Sequence, residues 1–255
     1  MSNSSLINLT MISPNRNAPR NHEIDTLTIH MTEGQVTAKT LGEIFMKSSR
    51  QASCNYGIGC DANIVMCCPE SDRSWCSGSK ANDSRAITIE VASDNFAPYA
   101  VTDVVYKKLI DLCVDIVRRN PGFKGSLRWR GDKNLIGKVE LQNMTVHKWF
   151  QNTTNCPGDY LYNHMVQIAE EVNRRLSAPT TVDFVAGDIV YFKGGYDHSN
   201  SQDTTTGNKK IASLARVSKA APNARYPYHC RRINEKGAYI SGGVYGWVCA
   251  DSLTT

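Results

Sequence analysis

Residues 25–30 and 85–91 share one pattern. In Asp25-Thr26-Leu27-Thr28-Ile29-His30 and in Arg85-Ala86-Ile87-Thr88-Ile89-Glu90-Val91 polar and apolar side chains alternate. Successive side chains of a strand point to opposite faces, so each segment is predicted to be a strand. Leu27 and Ile29, like Ile87, Ile89 and Val91, form an apolar face, while Thr26, Thr28 and His30, like Thr88 and Glu90, form a polar one. Both carry a threonine followed two residues on by an ionisable group. As neighbours in one sheet they bring His30 and Glu90 into one cleft.

Helical periods separate and follow these strands. Thr37 is placed to cap a helix with Leu41, Ile44 and Phe45 inward. Asn55-Tyr56-Gly57-Ile58-Gly59 and Asn63-Ile64-Val65-Met66 read as a hairpin around Cys60-Asp61-Ala62. Thr102 or Asp103 starts a longer helix carrying Val105, Leu109, Leu112 and Ile116; Arg118-Arg119 complement its dipole and Pro121-Gly122 stop it. A last helix follows Cys156, with Pro157 in its first turn and Leu161, Met165, Ile168, Val172 and Leu176 at three- and four-residue steps. These elements predict an α/β fold: a single mixed sheet flanked by three helices. Near Ser177-Ala178-Pro179-Thr180-Thr181 the pattern changes to short strand-like runs (188–192, 211–217 and 246–250) among glycine- and asparagine-rich turns. The expected domains are 1–177 and 180–255, the second a small all-β barrel.

Composition narrows the function. The chain has 255 residues, 41% hydrophobic and 21% charged, as globular chains do. No run approaches the roughly 18 apolar residues of a membrane span, and residues 1–8 lack the basic-then-apolar order of a secretory signal. Synthesis in the cytoplasm without membrane insertion is expected. The net charge of +5 is spread along the chain, unlike the dense basic stripe of a nucleic-acid binder, and it suits an anionic polymer such as a bacterial wall. Nine cysteines, odd in number and without a Cys-x-x-Cys pair, read mostly as reduced, buried thiols; the cluster from Cys54 to Cys76 has room for one disulfide. Nothing indicates an oligomeric state.

His30, His147 and Cys156 carry the chemistry. Two imidazoles and a thiolate are three of the four ligands of a tetrahedral zinc, and an open fourth position makes such a centre catalytic. Taken singly, such a histidine is more often a hydrogen-bonded core residue, and such a cysteine a packed thiol. His147 and Cys156 are too far apart for one helical turn, so they must meet through the polar loop at 150–155. Two other readings stand beside the metal centre. One is a cysteine peptidase using Cys156 with His147, which leaves His30 without a role. The other is a recognition module without catalysis.

Thr28-Ile29-His30, Ala86-Ile87-Thr88-Ile89-Glu90-Val91 and Thr145-Val146-His147-Lys148-Trp149-Phe150 with Asn155-Cys156-Pro157-Gly158 together resemble the zinc-dependent N-acetylmuramoyl-L-alanine amidases. These are phage- and prophage-type lysins that share a fold with peptidoglycan recognition proteins. The resemblance spans most of residues 8–176. It implies that His30, His147 and Cys156 bind Zn2+, with zinc-bound water as nucleophile and Glu90 as general base, cutting the amide between N-acetylmuramic acid and L-alanine. It implies peptidoglycan as partner, and an endolysin that acts at the wall after release. Many relatives have a tyrosine or histidine near the metal where Cys54 and Asn55 stand, and a lysine where Thr154 stands; Asn55 and Thr154 are then candidates for hydrogen bonds to substrate. Trp75 falls in a segment bordering the family's substrate cleft. Residues 180–255 resemble the SH3-like modules that follow such amidase domains, which makes Tyr226, Tyr228 and Trp247, with Tyr239 and Tyr245, candidates for wall binding.

Overall fold

The computed structural model describes residues 3–177, 184–203, 205–221 and 224–254. The chain divides into two compact units, Met1–Ala178 and Pro179–Thr255. Of the segment read as the boundary, only Ser177 lies within the described residues, and of the N-terminal octapeptide Met1 and Ser2 lie outside them.

The first unit contains strands β1 (Leu9–Thr10), β2 (Arg16–Asn17), β3 (Thr26–Met31), β4 (Tyr56–Ile58), β5 (Ile64–Met66), β6 (Arg73–Ser74), β7 (Ala86–Val91) and β8 (Met144–Val146). Its helices are α1 (Ala38–Phe45), α2 (Lys80–Arg85), α3 (Asp103–Arg119), α4 (Gly158–Asn163) and α5 (Met165–Ser177). Six strands form a mixed sheet in the order β1-β5-β4-β7-β3-β8. The centre is parallel, with β4, β7, β3 and β8 running one way, and only the β4–β5 hairpin is antiparallel. β2 and β6 form a separate two-stranded ribbon.

Alternation decides what each sheet face does. Leu27, Ile29, Ile87, Ile89, Met144 and Val146 are buried in one cluster with Val105, Leu109, Leu112 and Ile116 of α3 and Ile168 and Val172 of α5. A separate cluster holds α1 through Ala38, Leu41 and Phe45 against Val65, Cys54 and Cys67. Thr37 caps α1 as expected, its hydroxyl accepting from Thr40 N at 3.2 Å. Thr102 precedes α3 without a side-chain cap bond. The last helix differs from expectation: it breaks at His164, whose amide bonds back to Tyr160 and Leu161, giving α4 and α5. The short α2 is also new; its apolar content is too low to show a period.

A buried ion pair ties the end of α3 to the loop after β5. Arg119 meets fully buried Glu70 at 2.6 Å, and Tyr56 Oη and Asn120 Nδ2 also donate to that carboxylate. A buried charge persists only when paired and hydrogen-bonded in this way. Among the described residues, no helix is long and apolar enough to cross a membrane.

The second unit is all-β, with β9 (Ile189–Phe192), β10 (Gly195–Asp197), β11 (Asn208–Lys210), β12 (Ser213–Ala220), β13 (Tyr228–Arg232), β14 (Tyr245–Val248) and β15 (Leu253–Thr254). Five strands form one antiparallel sheet in the order β14-β13-β12-β9-β15, and β10 pairs with β11. This unit has its own core of Phe184, Val190, Phe192, Ala215, Val217, Tyr228, Cys230, Val244, Val248 and Leu253.

Candidate metal and catalytic centre

The register of the parallel strands builds the site. Thr28 lies beside Thr88 on one side and Thr145 on the other. Two residues further along the same face, His30 lies beside Glu90, and His147 directly follows the end of β8. A row of threonines therefore underlies a row of chemical groups at the C-terminal ends of parallel strands, where open α/β sheets present their ligand sites. The underlying row is fully bonded. Thr28 and Thr145 hydroxyls meet at 2.8 Å, and Asn82 of α2 bridges them, donating to Thr28 Oγ1 and accepting from Thr145 Oγ1, both at 3.0 Å. Thr145-Val146-His147 repeats the pattern of the first two strands and could have been read as a third.

The loop between His147 and Cys156 closes as expected. His147–Trp149 is a short 3-10 turn, Gln151 N donates to His147 O, and Lys148 N donates to Cys156 O at 3.0 Å. Trp149 stacks on Trp129 with ring centroids 5.0 Å apart and planes 1° from parallel, anchoring the turn to the core. The donor atoms of His30, His147 and Cys156 then lie within 4.8 Å of one another. Cys156 Sγ is 3.4 Å from His30 Nδ1.

These residues fit zinc. His30 is 1% exposed, and its Nε2 is buried without a hydrogen-bond partner among the described residues. Burial, reinforced by His147, lowers the His30 pKa well below its ordinary value, keeping the neutral imidazole a metal needs. His147 Nε2 bonds Gln151 Oε1 at 2.9 Å, the outer contact that fixes the tautomer of a ligating histidine. Sequence reading placed Gln151 only in a polar loop; its four-residue spacing from His147 was the available signal. Burial, then the Glu90 carboxylate, pushes the Cys156 thiol well above its ordinary range, and metal coordination opposes that shift by favouring the thiolate.

Among the described residues Glu90, beside this set, forms no ion pair, and Arg85, five residues before it, pairs with Asp25 at 2.5 Å. Burial pushes the Glu90 pKa up to about 8, opposed by the Cys76 bond and by Arg50. Oε1 receives a long contact from Cys76 Sγ at 3.7 Å, and Oε2 is buried with no hydrogen-bond partner among the described residues. A carboxyl titrating near neutrality can both accept and return a proton.

His147 stands where two recesses meet. One is polar, lined by Asn17, Gln51, Arg73, Trp75, Lys80 and Gln151. The other combines Val36, Leu41, Ile44 and Phe45 with Arg50, Glu90 and Thr154. Trp75 thus lies in the cleft, its indole donating to Asn17 Oδ1 at 2.6 Å. Thr154 lines the cleft too, its hydroxyl accepting from Cys156 N at 3.1 Å. Asn55 corrects an expectation: it is fully buried, donates to Cys68 and Pro69 carbonyls, and accepts from Thr88 N. Its amide joins strands and is unavailable to substrate. Cys54 is likewise buried among Cys67 and Cys76, and all nine cysteines are free thiols.

In the second unit Tyr228 is another correction. It is 2% exposed and packs edge-on against Phe184 at 5.5 Å between centroids, so alternation on β13 places it in the core rather than on a binding face. Tyr226 stacks on His198 at 3.6 Å. Trp247 meets His229 edge-on at 5.5 Å, next to Tyr245, which is 65% exposed. Arg231 lies 4.0 Å above Tyr239 and 5.1 Å above Tyr245.

Residues 20–159 match the family model described as N-acetylmuramoyl-L-alanine amidase (Amidase_2). No curated protein matches the chain. Among solved structures, a selenomethionine derivative of AmpD aligns over 65% of this chain and 96% of its own, with 18% identity and a TM-score of 0.48. PlyL covers 67% and 96%, with 14% identity and a TM-score of 0.43. The endolysin N-acetylmuramoyl-L-alanine amidase LysCS from Clostridium intestinale URNW covers 68% and 98%, with 18% identity and a TM-score of 0.42. Those likenesses are weak, and the assignment rests on the family model, whose match spans more than half of the chain and contains His30, Glu90, His147 and Cys156. The protein belongs to the N-acetylmuramoyl-L-alanine amidase family.

Proposed function

We propose that the protein is a zinc-dependent peptidoglycan amidase that cuts the bond between N-acetylmuramic acid and L-alanine and serves as an endolysin. The observation that carries this reading is the convergence of the His30, His147 and Cys156 donor atoms within 4.8 Å, beside a buried carboxyl, inside the family-matched segment. His30, His147 and Cys156 hold the metal. Zinc bound there supplies Lewis acidity toward an amide carbonyl.

The chain's own residues do the rest. Glu90 takes a proton from the attacking water at a carboxylate oxygen and returns it to the departing L-alanine nitrogen. Gln151 holds the His147 ring through Nε2. Thr154, bonded to the Cys156 amide, stands where it can touch substrate, and Trp75 offers an indole face to a sugar or stem peptide. The apolar recess beside Glu90 limits water around the carboxyl and keeps its pKa high.

The second unit is read as an SH3-like wall-binding module. Its exposed Tyr239 and Tyr245, with half-buried Arg231 against them and Trp247 and Tyr226 as further candidates, replace the set that included Tyr228. Peptidoglycan is the partner of both units, reached after release from the cell that makes the protein.

Digestion of purified peptidoglycan tests the reading. Activity lost on zinc chelation, restored by zinc and resistant to thiol alkylation of the metal-loaded protein is expected. Activity that survives complete metal removal and is lost on alkylation would replace the amidase with a thiol peptidase.

A further inference from the structure

Cys76 is a thiol that the amidase reading does not use, yet it lies at the centre of the site. It enters from the segment after β6, where its backbone N donates to Asp83 Oδ2 at 3.0 Å, and the flanking Trp75 and Ser77 amides are bonded to Ser53 Oγ and Asp83. This bracing holds Sγ 3.7 Å from Glu90 Oε1. The donor atoms of His30, Cys76 and Glu90 lie within 4.8 Å of one another, the same envelope as the first triad. Two buried atoms in this second set, His30 Nε2 and Glu90 Oε2, have no hydrogen-bond partner among the described residues. Buried polar atoms are nearly always satisfied, and an orphaned pair beside a thiol calls for a ligand that accepts lone pairs.

We propose that His30, Cys76 and Glu90 form a second seat for a soft divalent cation, overlapping the first seat at His30 and competing with it. The donor chemistry is one imidazole, one thiolate and one carboxylate, all ligands zinc accepts. With zinc–sulfur and zinc–oxygen bonds of about 2.3 and 2.0 Å at tetrahedral angles, a sulfur–oxygen edge of about 3.5 Å follows. The observed 3.7 Å separation is close to it. A neutral imidazole has a single lone pair to donate, so His30 serves one ion at a time and the two seats exclude each other. On binding, the Cys76 thiol proton passes to solvent. An ion in this seat takes Glu90 as a ligand and withdraws the base. That consequence rests on the amidase reading, whereas the seat itself is a matter of metal binding alone.

Cobalt(II) is the probe, because a thiolate ligand gives it a charge-transfer absorption. Cys156→Ser is nearly isosteric and removes the thiol of the first seat, so a remaining band must come from elsewhere. The expected result is one cobalt per chain in Cys156→Ser with the thiolate band retained, and loss of the band when Cys76→Ser is added. The same pair of measurements on a His147→Ala, Cys156→Ser background serves as a second variant set, disabling two ligands of the first seat. A Cys156→Ser protein without a thiolate band overturns the proposal, as does a band that survives in the Cys76→Ser, Cys156→Ser double variant. A parent chain that binds neither cobalt nor zinc sinks the zinc-centre reading along with the seat, whereas a metal-binding parent whose Cys156→Ser variant lacks the band sinks the seat alone, so the two failures are distinguishable.

Discussion

At the scale of single residues, the account turns on Glu90 and the shell around His147. Replacing Glu90 by Gln keeps the shape and removes the base; turnover falls by about 10²–10⁴-fold, the usual range for a general base, while zinc content measured on the same sample is unchanged. Gln151→Ala frees His147 Nε2, and zinc affinity, measured by chelator competition, drops by about 10–100-fold. Burial also gives Glu90 a signature in stability. Its pKa rises from 4.5 to about 8 in the metal-free fold, so between those values the folded chain retains a proton that the unfolded chain has released. That contribution is fully present below the unfolded value and is lost as pH rises through the folded one. Thermal unfolding of metal-free samples should therefore show Glu90→Gln gaining on the parent chain from about pH 5 to about pH 8. A constant difference across that range contradicts the buried, protonated carboxyl.

At the scale of elements, the site is a product of register. His30, Glu90 and His147 meet because β7, β3 and β8 are parallel and aligned threonine to threonine. Asn82 of α2 locks that alignment from below, and Asn82→Ala leaves the Thr28 and Thr145 hydroxyls short of a partner. A loss of about 1–3 kcal/mol is expected from leaving buried polar groups unsatisfied, read from the denaturant midpoint. β3, β7, α1 with its cap, the β4–β5 hairpin and the grouping of His30, His147 and Cys156 were legible in the sequence because each rests on local alternation or on a quotable motif, whereas β8 was passed over. The break at His164 was not, since Leu161, Met165 and Ile168 continue a helical period straight through it. Nor were α2, whose Lys-Ala-Asn-Asp-Ser-Arg has no apolar stripe, and Cys76 beside Glu90, a contact between residues 14 apart that depends on the fold of the β6 segment. Asn55 and Tyr228 went the other way: side-chain chemistry offered them to ligands, and the pleat turned them inward.

At the scale of the whole molecule, each unit has a hydrophobic core of its own, which is the physical condition for independent folding. A chain ending at Ser177 is expected to unfold cooperatively and to keep amidase activity on soluble peptidoglycan fragments. Its retention on intact wall, measured by co-sedimentation, should fall relative to the full chain; equal retention would remove wall binding from the second unit. The central claim, a metal-dependent cut at one bond, is tested most directly by mass spectrometry of soluble products from purified peptidoglycan, digested with and without a zinc chelator. The account predicts stem peptides with a new free N-terminal L-alanine, absent after chelation and restored by added zinc. Products cut inside the stem peptide, or the same L-alanine peptides in the fully metal-free digest, would contradict it.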